Sequence, residues 1–217
     1  IVGARRRPVS TGPADAALMR NDTSADKRER ILEAVLAVLA RDGISGVTMR
    51  AVAREAEVAL GLATYYFEDK DGLVAAALER IADGDAALVE PPPGAEPGEA
   101  LRVALHRIAD PDFLSVPYLA LRLQLWSLAG VDERYAAINQ AAQRRYLTGL
   151  VALLAAARPD LDPGEVERRA NDILIMQNGV WLTSALIPDP DTVARSVART
   201  EAIAFDNGPD SAATRSG

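Results

Sequence analysis

The sequence predicts an all-α protein built from about nine helices, and three observations favour this fold class. From residue 26 to residue 205, apolar residues recur at intervals of three and four, which is the spacing of one face of an α-helix. No stretch shows the alternation of apolar and polar residues that a half-buried β-strand requires. Prolines are concentrated between the periodic segments, where helices are expected to end.

Capping residues set the expected helix boundaries. Thr23 or Ser24 can cap the first helix, which Gly43 ends, and Thr48 and Asp69 can cap the second and the fourth. The segments predicted as helices are residues 26–41, 48–55, 60–67, 70–88, 99–110, 112–129, 132–157, 163–187 and 190–205.

Prolines and small polar residues mark the segments outside these helices. Residues 91–98, PPPGAEPG, cannot lie inside a regular helix and indicate a loop or a domain boundary. Pro117 lies within the sixth predicted helix, which must therefore start or kink there. Residues 1–23 and 206–217 are rich in small and polar residues without periodicity, so we expect a flexible arm and a flexible tail.

The composition excludes several classes of protein. The chain has 217 residues, of which 49% are hydrophobic and 25% are charged, as in ordinary globular proteins. It has no cysteine, which excludes disulfide scaffolds, thiolate zinc sites and cysteine nucleophiles. No apolar run reaches the ~20 residues of a membrane span, and the start lacks the apolar core of a secretory signal. These features predict a cytoplasmic protein that does not enter a membrane.

The charge is unevenly distributed. The formal net charge is −7 for the whole chain, but residues 27–80 carry only −1 while residues 81–217 carry −7. An acidic protein does not attract nucleic acid in general. A nucleic-acid-binding surface must therefore be local and must lie in the N-terminal third.

Residues 44–73 contain two short predicted helices joined by a turn of about four residues. Small and apolar residues supply a wedge between them: Val52, Ala53, Ala56, Val58, Ala63 and Phe67. This arrangement is typical of a helix-turn-helix unit, in which the second helix enters the major groove of DNA. A buried helical hairpin without DNA is the alternative interpretation.

This segment resembles the TetR family of one-component transcriptional regulators, over residues 26–80. The residues that match the family pattern, without an insertion, are Gly43, Thr48, Arg50, Val52, Ala53, Ala56, Val58, Gly61, Tyr66, Phe67, Lys70 and Leu73. The resemblance implies a DNA-binding domain at 24–70 and a helical effector-binding and dimerisation domain at 71–205. It also implies a homodimer that binds a pseudo-palindromic operator in double-stranded DNA and responds to a small molecule.

Nine residues are candidates for contact with DNA, and the first five lie on the second and third helices. Arg50 can donate to a guanine edge or a phosphate, and Thr48 offers a hydroxyl and a helix N-terminus to phosphate. Leu60 and Leu62 suit thymine methyl groups, and Gly61 permits close approach of the backbone.

The other four candidates follow in the chain. Thr64 and Tyr65 can reach base edges or sugars, while Tyr66 and Lys70 match positions that hold phosphates in the family. Tyr66 can instead pack on the neighbouring phenylalanine. The arginines at 5–7 can reach a neighbouring groove, although a disordered tail is the simpler interpretation.

Three positions depart from the family pattern. Glu57 stands where the turn usually has glycine, and a left-handed backbone there costs another residue on the order of 1 kcal/mol. Ala59 replaces the serine that usually caps the recognition helix, which costs about 1 kcal/mol. Thr64 replaces the usual tyrosine. These departures affect the geometry of the recognition helix rather than its existence.

The C-terminal two-thirds resembles the BetI-like subgroup, whose named member responds to choline. The candidate effector-binding residues are Tyr118, Arg122, Trp126, Gln177 and Trp181. Arg122 lies on an otherwise apolar helix and needs either a partner carboxylate, the simpler interpretation, or an anionic ligand. The tryptophans are core residues or walls of a cage for a cation. The acidity of this domain suits a cation and Arg122 suits an anion, so the charge of the effector stays open.

The last two predicted helices, 163–187 and 190–205, are expected to form a four-helix interface between two subunits, as the resemblance implies. Gly179 lies within the first of them. A glycine there permits close approach of another helix or leaves room for a ligand.

No catalytic or metal-binding group is expected. His106 is the only histidine, so neither a histidine metal cluster nor a Ser-His-Asp triad can form. Paired acids such as Asp132 and Glu133 are better explained as helix caps. We expect a regulator without cofactor or metal, most simply a repressor. A transcriptional activator, a helical adaptor that binds only protein and an all-α enzyme are the alternatives.

Overall fold

The computed structural model describes residues 23–206, and in that range the chain forms nine α-helices and no β-strand, which confirms the predicted fold class. The helices are α1 (Ser24–Gly46), α2 (Met49–Glu55), α3 (Leu60–Phe67), α4 (Lys70–Leu88), α5 (Pro97–Arg107), α6 (Val116–Ala129), α7 (Glu133–Ala157), α8 (Pro163–Leu186) and α9 (Pro190–Phe205). The predicted arm and tail, with the arginines at 5–7, lie outside the described residues except for positions 23 and 206.

Local signals in the sequence start these helices. Thr23 caps α1, and its side chain and that of Asp26 accept reciprocally from backbone N–H groups in a capping box. Thr48 accepts from a backbone N–H of α2, and Asp69 does the same for α4. Proline lies in the first turn of α5, α6, α8 and α9, where its missing N–H has no partner to lose.

Three boundaries differ from the prediction by three residues or more, and one of them is the end of α5 at Arg107 rather than at 110. Gly43 interrupts the first helix with φ of 69°, but helical structure resumes and continues to Gly46. The sixth helix begins at Val116 rather than at 112, because residues 110–115 form a separate turn in which Phe113 N–H donates to the Asp110 carbonyl. Pro117 therefore lies in the first turn of α6 and does not kink it.

Two apolar cores lie side by side, and α4 contributes to both. The first core joins α1, α2 and α3 to Leu73, Val74 and Ala77 of α4, and it includes residues from α6 and α7. The second core joins α5 to α9 and includes Leu88 at the end of α4. At that end α4 closely approaches α7, where a Cβ on Gly149 would lie 2.4 Å from Val89. The helix thus connects the three N-terminal helices to the larger helical half.

None of the helices in residues 23–206 combines the length and apolar character needed to cross a membrane.

Candidate DNA-binding surface and effector cavity

The turn between α2 and α3 is built as the sequence suggested. Val52, Ala53, Ala56 and Ala63 are buried between the two helices. Glu57 adopts a left-handed backbone with φ of 54°, which is the conformation that glycine adopts most easily. The N-cap of α3 makes no side-chain hydrogen bond to the helix, because alanine has no acceptor. Both departures predicted to be unfavourable are therefore present.

Most of the predicted DNA-contacting residues lie on the solvent-exposed side of α2 and α3. Thr48, Arg50, Gly61 and Thr64 are exposed, and Leu60 and Tyr65 are 42% and 77% exposed. A Cβ on Gly61 would meet no atom within 4 Å, so the packing of the chain itself does not require glycine there. Leu62, Tyr66 and Lys70 are only half-buried.

Two roles were considered for Tyr66, contact with a phosphate and packing on the neighbouring phenylalanine, and the structure has features of both. Its hydroxyl forms a 2.6 Å hydrogen bond with Ser24 Oγ of α1, which ties the recognition helix to the start of the domain. Its ring packs edge-on against Tyr65, with centroids 5.2 Å apart, and lies 6.4 Å from the ring of Phe67. Packing therefore accounts for part of this side chain, while its hydroxyl stays at the surface of α3.

The start of α4 is held by the C-terminal half. Asp71 follows Lys70 and accepts from Arg134 of α7 at 2.9 Å and from the Tyr135 hydroxyl at 3.3 Å. The hydrogen bond from Arg134 lowers the pKa of Asp71 below its ordinary value. The first turn of α4 thus places Lys70, a candidate phosphate contact, beside the ion pair between Asp71 and Arg134.

A second ion pair lies inside the protein. Arg122 of α6 donates to Asp85 of α4, and both side chains are buried. The Tyr118 hydroxyl donates to the same carboxylate at 2.8 Å and accepts from Arg122 at 3.1 Å. Burial raises the pKa of Asp85 and that of Tyr118, and Arg122 opposes both shifts. Of the two partners considered for Arg122, a carboxylate and an anionic ligand, the structure provides the carboxylate.

Aromatic rings enclose the same guanidinium. The Arg122 Cζ atom lies 3.6 Å from the ring centroid of Trp181, 5.5 Å from that of Tyr118 and 5.6 Å from that of Trp126. Such cation–π contacts are strongest where water is excluded. Gln177 precedes Trp181 by one helical turn and accepts from the Tyr146 hydroxyl at 2.8 Å. The five predicted effector-binding residues thus lie in one region between α6 and α8.

The space beside this cluster is small. A cavity between α4, α6 and α7 is lined by Asp85, Arg122, Trp126 and apolar side chains such as Ile81 and Leu125. Its volume is about 20 Å³, which has room for one or two waters. A ligand larger than water must therefore move a side chain or separate two helices.

Sequence reasoning missed two members of the cluster, Asp85 and Tyr146. Asp85 offered one usable signal, because it lies among the apolar residues Ile81, Ala82 and Leu88 on one face of α4. Tyr146 offered none, since a tyrosine on an apolar stripe is usually only a core residue.

The remaining acids and bases form no catalytic constellation in the described part of the chain. Residues 23–206 contain no group of three or more potential metal ligands. Asp132 accepts from the Arg134 backbone N–H, so it caps α7 as expected. His106 lies on the surface 3.4 Å from Glu201.

Comparison with known proteins identifies the class of protein. Residues 31–77 match the bacterial regulatory proteins of the tetR family, and residues 97–204 match the C-terminal domain of BetI-type transcriptional repressors. The HTH-type transcriptional regulator BetI of Paraburkholderia phymatum is 30% identical over 172 residues, covering 77% of this chain and 86% of that protein. The regulator of the same name from Burkholderia thailandensis is 29% identical over 172 residues, covering 77% and 87%.

The fold agrees with solved structures of regulators. A transcriptional regulator from Rhodococcus sp. Rha1 superposes with a TM-score of 0.68 at 25% identity, over 82% of this chain and 95% of that one. Together with the helix-turn-helix geometry, these matches support a transcriptional regulator over the alternative of an enzyme. The chain belongs to the TetR family of DNA-binding transcriptional regulators and carries a BetI-type C-terminal domain.

Proposed function

We propose that the protein is a homodimeric repressor that releases a pseudo-palindromic operator when a small molecule binds its C-terminal domain. The observation that carries this proposal is the double attachment of α4. The helix begins at Lys70, beside the recognition helix, and it pairs with the C-terminal half through Asp71 and Asp85. A ligand that moves α6 or α7 therefore acts on the helix that carries a DNA contact.

The exposed face of α2 and α3 supports operator binding. Arg50 is exposed, has no ion pair with any described residue and is free to contact a guanine or a phosphate. Thr48, Gly61, Thr64 and Tyr65 of the same helix-turn-helix unit are exposed as well. We assign Lys70 and Tyr66 to phosphate contacts and the exposed Leu60 to a thymine methyl group, whereas Leu62 packs partly against the first apolar core.

An apolar face on α8 supports the dimer. Ile175, Leu182 and Leu186 are 69%, 42% and 67% exposed, and Ile187 at the end of the helix is 70% exposed. A Cβ on Gly179 would meet no atom within 4 Å, so this face leaves space for a second helix. Exposed apolar patches of this kind mark interaction surfaces. We assign α8 and α9 to the interface between two subunits.

The description of the C-terminal domain as a repressor type supports repression rather than activation. Transcription in vitro from a promoter that contains the selected operator tests this choice. Repression that a ligand relieves supports the proposal, and stimulation of transcription by the bound protein contradicts it.

Selection from a pool of random DNA duplexes tests operator binding. The proposal requires a two-fold symmetric motif and an affinity that falls steeply with salt. Lys70→Ala should weaken binding to every duplex and lower the salt slope by about one, whereas Arg50→Ala should relax the sequence preference and cost about 1–3 kcal/mol at the operator. Arg144→Ala, on the exposed face of α7, is the matched control and should bind normally. Normal affinity in both test variants contradicts the assigned contacts, and binding without salt dependence contradicts the proposal as a whole.

A further inference from the structure

Three buried hydrogen-bond donors on α6 and α8 have no acceptor among residues 23–206, and the one on Arg122 borders the cavity. They are Arg122 Nε, Gln177 Nε2 and Trp181 Nε1, on side chains that are 3%, 0% and 2% exposed. An unpaired buried donor costs about 1–3 kcal/mol, so proteins rarely leave several together. The other unpaired buried atoms, Gln124 Oε1 and Asn178 Oδ1, are acceptors: Gln124 approaches Gly43 of α1, and the Asn178 amide donates to Gln143.

The positive charge of Arg122 also favours a ligand that accepts hydrogen bonds over a cationic ligand. The guanidinium of Arg122 already occupies the ring faces of Trp181, Trp126 and Tyr118. A quaternary ammonium ligand would therefore meet a like charge and would find the aromatic faces filled. Asp85 supplies one acidic group to this buried arginine, and that carboxylate is shared with the Tyr118 hydroxyl. A second carboxylate in the cavity would find the unpaired Arg122 Nε free to bind it.

We infer that the cavity binds a small carboxylate with an apolar body, and that this ligand replaces Asp85 as the partner of Arg122. The inference deepens the proposed function and rests on it, since it names the chemical class of the effector. The apolar body contacts the lining formed by Leu78, Ile81, Leu125 and Ile138. The carboxylate accepts from Arg122, for which charge-assisted hydrogen bonds with a guanidinium fork are the strongest available.

The exchange of partner has a direct consequence for α4. Asp85 and Arg122 join α4 to α6, and the exchange removes that contact. The cavity has a volume of only about 20 Å³. The ligand therefore gains its space from movement of Arg122 and from separation of α4 and α6. Movement of α4 then reaches the recognition helix through the first turn at Lys70.

Intrinsic fluorescence tests this inference directly, because Trp126 and Trp181 are the only tryptophans in the chain and both lie against Arg122. Benzoate, benzamide and benzyltrimethylammonium carry one ring with a negative, a neutral and a positive group. We expect a saturable change with benzoate, binding about tenfold weaker with benzamide, and none with the cation. Hexanoate, an aliphatic carboxylate, tests whether binding requires the aromatic ring.

Variants separate a ligand anchor from a purely structural ion pair. Asp85→Asn should bind benzoate about tenfold more tightly, because the competing carboxylate is gone, whereas Arg122→Met should abolish saturation. Arg122→Lys keeps a positive charge beside Asp85 and removes the unpaired Nε donor, so it provides a weaker-binding variant if Arg122→Met does not fold. Arg144→Met removes an exposed guanidinium and should bind like the unmodified protein. A purely structural pair predicts weaker binding in Asp85→Asn, not tighter.

The outcomes distinguish this inference from the proposed function. Absence of saturation with both carboxylates at about 20 mM, where a millimolar site is filled, overturns the inference. Preferential binding of benzyltrimethylammonium also overturns it. Operator affinity is measured in parallel, so normal DNA binding without a benzoate response refutes the ligand class alone. Benzoate binding that leaves the operator bound supports the site and refutes the proposed release.

Discussion

Two substitutions in the turn that leads into the recognition helix are expected to raise the free energy of unfolding. Glu57 has a left-handed backbone with φ of 54°, and Ala59 caps α3 without a side-chain hydrogen bond. Both side chains are exposed, so replacing them leaves the apolar core unchanged. The double variant Glu57→Gly with Ala59→Ser removes the backbone strain and supplies the missing cap.

The expected gain follows from the two contributions. A left-handed conformation costs a non-glycine residue roughly 1–2 kcal/mol, and the greater freedom of glycine in the unfolded chain takes back about 0.5–1 kcal/mol. A serine cap in place of alanine adds about 1 kcal/mol. The free energy of unfolding should rise by about 2 kcal/mol in total. For a chain of this size that corresponds to an increase of about 4–8 °C in Tm.

Thermal unfolding followed by far-ultraviolet circular dichroism measures this change. Glu57→Gln removes the same charge but keeps the left-handed backbone, so its midpoint should stay with the unmodified protein. Binding of the selected operator should tighten in the double variant beyond the effect of Glu57→Gln, because the recognition helix is better ordered. A midpoint in the double variant that is unchanged or lower, with helix content intact, would refute this account of the turn.

Three further outcomes are expected. Arg169→Leu should lower the free energy of unfolding by about 3 kcal/mol in denaturant titrations, because its buried guanidinium donates to three carbonyls at the end of α9, whereas the exposed Arg168→Leu should change little. The Arg158 guanidinium lowers the pKa of Asp160 to about 2, so the stability from this carboxylate is present above pH 3.8 and is lost as pH falls towards 2; carboxyl titration by NMR and the Asp160→Asn variant check this. Gly179→Gln should shift the protein to monomers in light scattering, since its side chain fits the protomer but obstructs the proposed interface, and an unchanged dimer contradicts that interface.

The helices and the helix-turn-helix unit could be predicted because their signals are local. Thr48 and Asp69 cap the helices that they were expected to cap, and the left-handed backbone at Glu57 follows from its place in the turn. The start of α6 could not be predicted, because the apolar residues Phe113 and Leu114 continue the helical spacing into a segment that forms a separate turn.

The candidate effector site could be predicted only in part. Five of its side chains were predicted because Arg122 and Gln177 are polar residues on apolar stripes, and because Tyr118, Trp126 and Trp181 lie on the same faces. Asp85 and Tyr146 were missed because their roles depend on which helices become neighbours, and the spacing within one helix does not contain that information. The identity of the Arg122 partner is therefore a tertiary property, although the need for a partner is a local one.

The two ion pairs on α4 differ in their capacity to control DNA binding. Asp71 and Asp85 lie fourteen residues apart, which is about 21 Å along the helix. Coupling between sites in regulators is typically about 1–3 kcal/mol. The Asp71–Arg134 pair is exposed, and exposed pairs contribute little and are screened by salt. Removing one partner of a buried pair costs about 3–5 kcal/mol, which is enough to supply a coupling energy of that size.

The buried pair is therefore expected to carry the response. Asp85→Asn should change the ligand concentration at which the operator is released, while Asp71→Asn should leave it nearly unchanged. Fluorescence anisotropy of a labelled operator, titrated with benzoate at low and high salt, measures both effects. Equal responses in the two variants would place the control of α4 at its exposed start, beside Lys70, and would contradict the role given to Asp85.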